Sequence, residues 1–125
     1  MATMTTEQKE LATLLALKEG ERYAGISLHE GKPCHLVLLP GDEEKNWKDA
    51  GAWAAEQGGE LPNRHDALVL HDNLNDQFQR DWYWTSVPYA HNGAYAWFQS
   101  FYYGDKDGSR KDDDYRARAV RRVAI

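Results

Sequence analysis

Among the side chains of this 125-residue chain that could bind a metal ion, aspartates are clustered near the C-terminus. Asp105 and Asp107 precede Gly108, and three adjacent aspartates follow at 112–114. An EF-hand loop needs glycine at its sixth position and glutamate at its twelfth, whereas here glycine comes fourth and the twelfth residue is Arg116. The five histidines are scattered, and none stands at zinc-ligand spacing with the single cysteine. The sequence therefore predicts no metal site and no cofactor.

Cys34 is the one thiol that could act as a nucleophile. It lies in an apolar run, which predicts a buried small side chain instead of a reactive one. Its neighbour His35 is poorly placed to activate it, because adjacent residues of a strand point to opposite faces. The chain contains no HExxH motif, no GxSxG motif and no glycine-rich phosphate loop. We therefore expect that the protein is not an enzyme.

Aromatic side chains are concentrated near the C-terminus, where ten of the fifteen fall between residues 82 and 103. Large aromatics are costly to expose, so such a cluster indicates either a core or a contact surface. The segment Ala94–Tyr103 alternates as a strand does, and we expect its large aromatics Trp97, Phe98 and Phe101 to be core residues. Tyrosines beside a polar loop are suited to contact a partner. The predicted ligand-binding residues are Tyr89, Asn92, Tyr102, Tyr103, Asp105, Asp107 and Arg110.

Two further predictions concern this C-terminal third. Arginines repeat among alanines from Arg116 to Arg122, and we expect Arg118 to be held inside the fold by carboxylates or carbonyls. The other arginines are expected to form solvated ion pairs with neighbouring aspartates. An exposed patch of Trp82, Trp84 and Tyr89 would favour homo-oligomers.

Charge and hydropathy limit the kinds of partner. Residues 1–104 hold 8 Lys and Arg against 15 Asp and Glu, and residues 105–125 hold 7 against 5. The net charge of −5 argues against nucleic acid as a partner. No apolar window reaches the roughly 20 residues of a membrane span, and the N-terminus lacks the pattern of a signal peptide. We expect a protein of the cytoplasm or of a virion assembled there, with no membrane partner.

The elements that must position these residues follow from caps and periodicity. Thr5 with Gln8 predicts a capping box for a helix at 6–18, and Asn46 and Asn63 predict N-caps for two more helices. Period-two patterns predict the strands Arg22–His29, Cys34–Leu39, Asp81–Ser86, Ala94–Tyr103 and Tyr115–Val123. The order predicts a single α+β domain, residues 1–125, with two to three helices packed on a small, mostly antiparallel sheet.

An ordered set of residues resembles a known family. The set runs from a tryptophan–alanine segment through GGxLPxR, YWTS and AYAWxQxF to the arginine-rich end, and comprises Trp47, Ala50, Trp53, Ala54, Gly58, Gly59, Leu61, Pro62, Arg64, Tyr83, Trp84, Ser86, Tyr95, Ala96, Trp97, Gln99, Phe101, Gly104 and Arg116 to Arg122. It is similar to domain-of-unknown-function proteins of phages and prophages that belong with the Lcl-type C-terminal domains. The resemblance covers residues 35–125, and residues 1–34 add a helix and a strand.

The resemblance implies a C-type-lectin-like fold with a loop-rich face. It also implies a non-enzymatic binding module of phage or prophage origin, with an unknown protein or glycan as its ligand. The calcium-binding triplets of the sugar-binding members are absent from this chain. An alternative is a small intracellular phage inhibitor of a host defence system that acts by protein–protein contact. A third alternative, an enzyme similar to the formylglycine-generating relatives, would depend on Cys34.

Overall fold

The described part of the chain, residues 5–125 of a computed structural model, forms three α-helices and eight strands in two sheets. In chain order the elements are α1 (Thr6–Leu15), β1 (Arg22–His29), β2 (Lys32–Leu38), β3 (Glu43–Lys45), α2 (Trp47–Glu56), α3 (Arg64–Asn73), a short 3-10 helix (Asn75–Gln77), β4 (Trp82–Pro88), β5 (Tyr95–Ser100), β6 (Lys106–Arg110), β7 (Tyr115–Ala117) and β8 (Val120–Ala124). The prediction of an α+β protein with mostly antiparallel strands is confirmed. Residues 1–4 of the predicted domain lie outside the described residues.

The first sheet, sheet A, has the strand order β1-β2-β8 and is antiparallel throughout. Glu30 and Gly31 connect β1 to β2 with φ values of 52° and 76°, the left-handed conformation that a two-residue hairpin turn requires. The middle strand β2 contributes three consecutive buried residues, Leu36, Val37 and Leu38. Both faces of β2 are therefore covered, and its sequence does not alternate between apolar and polar residues there.

Helix α3 is fixed to sheet A at both of its ends. Asn63 and Asp66 form a capping box, as the Asn63 cap predicted, and the Asn63 side-chain amide also donates to the Leu28 carbonyl of β1 at 3.0 Å. At the other end, the Asn73 amide donates to the Ala24 carbonyl at 2.8 Å. Two asparagines thus satisfy two carbonyls of β1, a strand with no second β neighbour in the sheet.

The second sheet, sheet B, has the order β3-β7-β4-β5-β6. Its pairs are antiparallel except for β4 with β7, which run parallel around Tyr83 and Arg116. Helix α2 packs the small residues Ala50 and Ala54 against Trp84 of this sheet. Because alanine side chains are short, the helix lies close to the sheet.

Buried arginines link the elements. Arg118 lies in the break between β7 and β8 and donates to the carbonyls of Gln77 at 2.5 Å and Leu39 at 3.0 Å, which confirms the prediction that it is held inside the fold. Arg122, however, pairs with Glu60 and with Asp66, and Asp66 is fully buried. The prediction of solvated links for the remaining arginines is therefore wrong at Arg122.

The predicted helix at 6–18 ends earlier, at Leu15, where Ala16 adopts a left-handed conformation with φ 51°. Three predicted segments of the C-terminal third also differ from the structure. The predicted strand Ala94–Tyr103 is shorter, Tyr95–Ser100, and turns after Phe101. The polar segment at 104–114, for which the sequence predicts a loop, contains β6, which pairs with β5. The predicted strand Tyr115–Val123 is two strands in different sheets. The strand is interrupted at Arg118, whose side chain hydrogen-bonds to backbone carbonyls of other elements.

Candidate functional site

The predicted ligand-binding residues lie at two ends of sheet B. Tyr89 and Asn92 belong to the β4–β5 turn, and Arg110 ends β6 beside it, opposite Tyr95. Tyr102, Tyr103 and Asp105 belong to the β5–β6 turn, and Asp107 lies between the two ends in β6; strand β5 separates the ends by about 17 Å at ~3.4 Å per residue. The structure therefore does not bring the seven predicted residues together.

The β4–β5 turn is ordered by its own hydrogen bonds. The Tyr89 N–H donates to the Tyr95 carbonyl at 2.9 Å, and the Asn92 side-chain oxygen accepts from the Ala94 N–H at 3.0 Å. The Asn92 side-chain oxygen therefore stabilises the turn by accepting a backbone hydrogen bond. The exposed Arg110 guanidinium lies 3.6 Å from the Asp112 carboxylate. Tyr89 is the residue of this end whose ring joins a larger aromatic surface.

That surface, the aromatic shelf, consists of Tyr89, Trp97 and Arg64. The Arg64 Cζ atom lies 3.8 Å from the centroid of the Trp97 ring, a cation–π contact, and the Tyr89 ring centroid lies 4.8 Å from that of Trp97. Trp97 and Tyr89 are half-buried and Arg64 is exposed. The predicted core position of Trp97 is wrong, because its face of β5 is covered here by side chains of the shelf that remain open to solvent.

Gly108 of β6 makes room for the shelf. Gly108 is the partner of Trp97 across the β5–β6 ladder. A Cβ atom at Gly108 would lie 2.4 Å from Cδ2 of Tyr89, far inside contact distance. The Tyr89 ring therefore occupies the space that any other side chain would fill, and the glycine fixes the ring beside Trp97.

Lys106 adds a second cation near Arg64. Lys106 shares the face of sheet B that carries Trp97, two residues along β6 from Gly108. Burial and the nearby Arg64 guanidinium lower the pKa of the Lys106 ammonium, and Asp72 opposes that shift. Within residues 5–125, neither Arg64 nor Lys106 has a carboxylate within ion-pair distance.

The second aromatic group, the turn cluster, consists of Arg80, Tyr102 and Tyr103. The Arg80 Cζ atom lies 4.3 Å from the Tyr102 ring centroid, and the two tyrosine rings meet edge to face at 4.4 Å. Tyr103 is 79% exposed and Tyr102 49%, so the predicted exposure of both is confirmed. The Ser100 hydroxyl oxygen accepts from the N–H groups of both tyrosines and holds the turn.

The aspartates near β6 do not converge. Asp107 accepts a hydrogen bond from the Gly108 N–H at 2.7 Å, so its carboxylate covers a backbone donor of an edge strand. In residues 5–125, no three His, Cys, Asp or Glu side chains come together in a group able to hold a metal ion. The same residues contain no helix with the length and apolar character to cross a bilayer.

Cys34 is buried in β2, as predicted, and burial raises the pKa of its thiol. A thiol that resists ionisation is a poor nucleophile. The condition set for homo-oligomers, an exposed patch of Trp82, Trp84 and Tyr89, is not met, because Trp84 is buried and donates its indole N–H to the Lys45 carbonyl. The exposed residues of the shelf and the turn cluster can engage another molecule through stacking, hydrogen bonding and charge.

Sequence reasoning missed Trp97 and Arg64 as surface residues. Arg64 is the first residue of α3, and its distance from Trp97 in the sequence hid their contact. The residues of β6 gave no local strand signal, because lysine, aspartate and glycine are depleted in strands. Only within a recognised strand does a glycine mark a close approach of another group. Recognising β6 as a strand would have placed Gly108 opposite an aromatic of β5.

No protein-family model matches the chain, and no curated protein matches it significantly.

Proposed function

We propose that this protein is a non-enzymatic binding module of phage or prophage origin, with a C-type-lectin-like fold, that captures a protein partner on the aromatic shelf. The observation that carries the proposal is the Arg64 guanidinium stacked 3.8 Å over Trp97 on an open face. Tryptophan, tyrosine and arginine are the residues most enriched at the energetic centres of protein interfaces. All three meet on the shelf.

The strand order supports the fold assignment. The hairpin β1–β2 near the start of the chain pairs with β8 near its end, so sheet A joins the two ends. Helices α2 and α3 follow that hairpin, and the second sheet is built mainly from β4 to β7. This arrangement agrees with the C-type-lectin-like architecture that the sequence resemblance implies.

The geometry of the shelf favours a protein over a small ligand. Its aromatic groups lie on one face of a sheet, and the Tyr89 ring fills the space over Gly108. Small-molecule sites, by contrast, enclose most of their ligand's surface. A shallow surface with a central tryptophan and charged residues around it is typical of a protein interface.

The proposal is tested by capture from host-cell lysate with matched variants. Immobilised wild-type protein is compared with Trp97→Ala, which removes the centre of the shelf, and with Tyr103→Ala, which removes the most exposed aromatic of the turn cluster. We expect Trp97→Ala to lose the captured partner and Tyr103→Ala to retain it, as measured by quantitative mass spectrometry. Circular dichroism checks that both variants remain folded.

Two results would contradict the proposal. If Tyr103→Ala abolishes capture while Trp97→Ala does not, the turn cluster is the contact surface. If neither variant changes the captured set and a glycan array gives saturable binding instead, the partner is a carbohydrate.

A further inference from the structure

We propose that Arg64 and Lys106 together accept a carboxylate of an acidic peptide segment in the partner protein, which assigns a ligand chemistry to the shelf. This inference rests on the proposed function, because it names what the partner presents there. The partner segment would place an Asp or Glu side chain between the two cations and an apolar or aromatic residue on the rings of Trp97 and Tyr89.

The Arg64 side chain is prepared for this contact. Stacking on Trp97 restricts the guanidinium, so a carboxylate that binds its N–H donors loses less conformational entropy than with a free arginine. A planar guanidinium can hold a carboxylate through two parallel hydrogen bonds. Arg64 therefore orients a bound carboxylate as well as attracting it by charge.

The two cations repel each other in the free protein. The like charge of Arg64 contributes to the lowered pKa of the Lys106 ammonium, and no carboxylate of residues 5–125 forms an ion pair with either side chain. Arg121 and Arg122 of β8, by contrast, each have a carboxylate partner. A negative group from a partner would relieve this repulsion.

The surroundings of the pair favour a carboxylate over a polyanion. Asp105 and Asp107 flank Lys106 in β6, Asp72 acts on it from α3, and the whole chain carries a net charge of −5. These charges repel a nucleic acid or a multiply charged phosphate more strongly than they repel a single carboxylate. We therefore commit to an acidic peptide.

The test is a titration of the full chain with the probe peptide acetyl-Ser-Glu-Tyr-Ser-amide, which carries a single carboxylate, followed by nuclear magnetic resonance. We expect the indole N–H signal of Trp97 and the Nε–H signal of Arg64 to shift in a saturable manner. Arg64→Gln and Lys106→Gln should each weaken binding about three- to tenfold, the range for a charge-assisted hydrogen bond at a partly exposed site. Lys106→Arg should keep the affinity.

Arg80→Gln is the matched control. It removes the same charge from an exposed arginine that also stacks on an aromatic ring, but on Tyr102 of the turn cluster and not on Trp97 of the shelf. We expect it to leave the affinity for the probe peptide unchanged. A second control, the peptide with glutamine in place of its glutamate, should not shift the Trp97 and Arg64 signals.

Several outcomes would overturn the inference. These are no shift of the Trp97 signal at millimolar peptide, equal losses for Arg64→Gln and Arg80→Gln, equal binding of the glutamine peptide, or tighter binding of inorganic phosphate or a single-stranded oligonucleotide. If the probe peptide fails while Trp97→Ala still abolishes partner capture, the proposed function stands and the ligand chemistry is wrong.

Discussion

Asp66 is the buried carboxylate on which sheet A and α3 converge. Its Oδ1 atom accepts a hydrogen bond from the Ser27 hydroxyl of β1 at 2.5 Å, and its Oδ2 atom pairs with Arg122 of β8 and accepts from the Asn63 N–H at 2.8 Å. Burial raises the pKa of the Asp66 carboxyl, and the hydrogen bonds from Ser27 and Asn63 oppose that rise. One side chain thus ties together the start of a helix and two strands that lie far apart in the sequence.

We expect Asp66→Asn to destabilise the fold by about 3–5 kcal/mol, because it leaves the half-buried Arg122 without its buried counter-charge. The free energy of unfolding from urea titration measures the loss. The control is Asp49→Asn at the start of α2, an exposed N-terminal position where the same change should cost only about 0.3–1 kcal/mol. Equal losses for the two variants would show that Asp66 acts only through its helix.

Glu21 and Arg121 form a pair whose contribution depends on pH. Arg121 donates to Glu21 at 2.8 Å and to the Leu15 carbonyl at the end of α1. The hydrogen bond from Arg121 holds the pKa of the Glu21 carboxyl below its usual 4.5, although burial opposes this shift. Because the folded-state pKa is the lower one, the pair stabilises the protein above pH 4.5, and this stabilisation is lost as pH falls through the lowered value.

Glu21→Gln should therefore cost stability at neutral pH and progressively less as pH decreases below 4.5. Urea unfolding of both proteins across the acid range measures the difference. A difference that stays constant with pH would mean that the variant acts through packing and not through charge.

At the scale of elements, the pairing of β5 with β6 places the Tyr89 ring over Gly108. We expect Gly108→Ala to displace that ring, to destabilise the protein by about 1–3 kcal/mol and to weaken partner capture, because the new methyl group needs the space of the ring. Gly93→Ala in the β4–β5 turn, where a Cβ atom meets nothing within 4 Å, should leave partner capture unchanged.

A double substitution separates this contact from a general effect on the strand. In a Tyr89→Ala background the ring is gone, so the added Gly108→Ala change should cost little more. Thermal unfolding of the wild type, the two single variants and the double variant gives the coupling free energy between residues 89 and 108. If the two single losses simply add, the Tyr89 ring does not occupy the space over Gly108.

The sequence predicted helix starts and strands correctly where interactions within a few residues determine them. The caps at Thr5, Asn46 and Asn63 and the strand Arg22–His29 appear as predicted, because a cap or an alternating pattern acts within a few residues. Strand β6 escaped prediction, because an edge strand rich in charged residues buries no apolar stripe and so has no hydrophobic period.

The candidate site escaped prediction for a different reason. Whether an aromatic of a sheet is buried depends on which element covers that part of the sheet. Alternation along β5 therefore could not tell Trp97, which lies under an arginine, from Phe98, which lies in the core with α2. The contact of Arg64 with Trp97 joins elements that only the tertiary fold brings together.

At the scale of the whole molecule, the break at Arg118 and Ala119 connects the two sheets. Arg118 reaches the Leu39 carbonyl after β2 and the Gln77 carbonyl before β4, and the Ala119 carbonyl accepts from the Leu39 N–H. Ala119 packs in the hydrophobic cluster that contains Trp84, and the next residue, Val120, packs in a second cluster that contains Leu36. The two clusters thus meet along one segment of chain. We infer that the two sheets unfold together.

Cys34 and the tryptophans allow this inference to be tested without labels. All five tryptophans lie in α2, β4 and β5, whereas Cys34 lies in β2 of sheet A. We expect tryptophan emission and the reactivity of the Cys34 thiol to change at the same urea concentration, as in a two-state transition. If the thiol reacts before the emission changes, sheet A opens independently.

The bonds from Asn63 and Asn73 to β1 have a consequence for solubility. A free strand edge can template the addition of identical strands and so begin a fibril. Here the side-chain amides of Asn63 and Asn73 already donate to the Leu28 and Ala24 carbonyls. An incoming chain would have to displace α3 to pair with these carbonyls. The same two bonds that hold α3 on sheet A therefore also protect β1, the longest strand among residues 5–125, from amyloid growth.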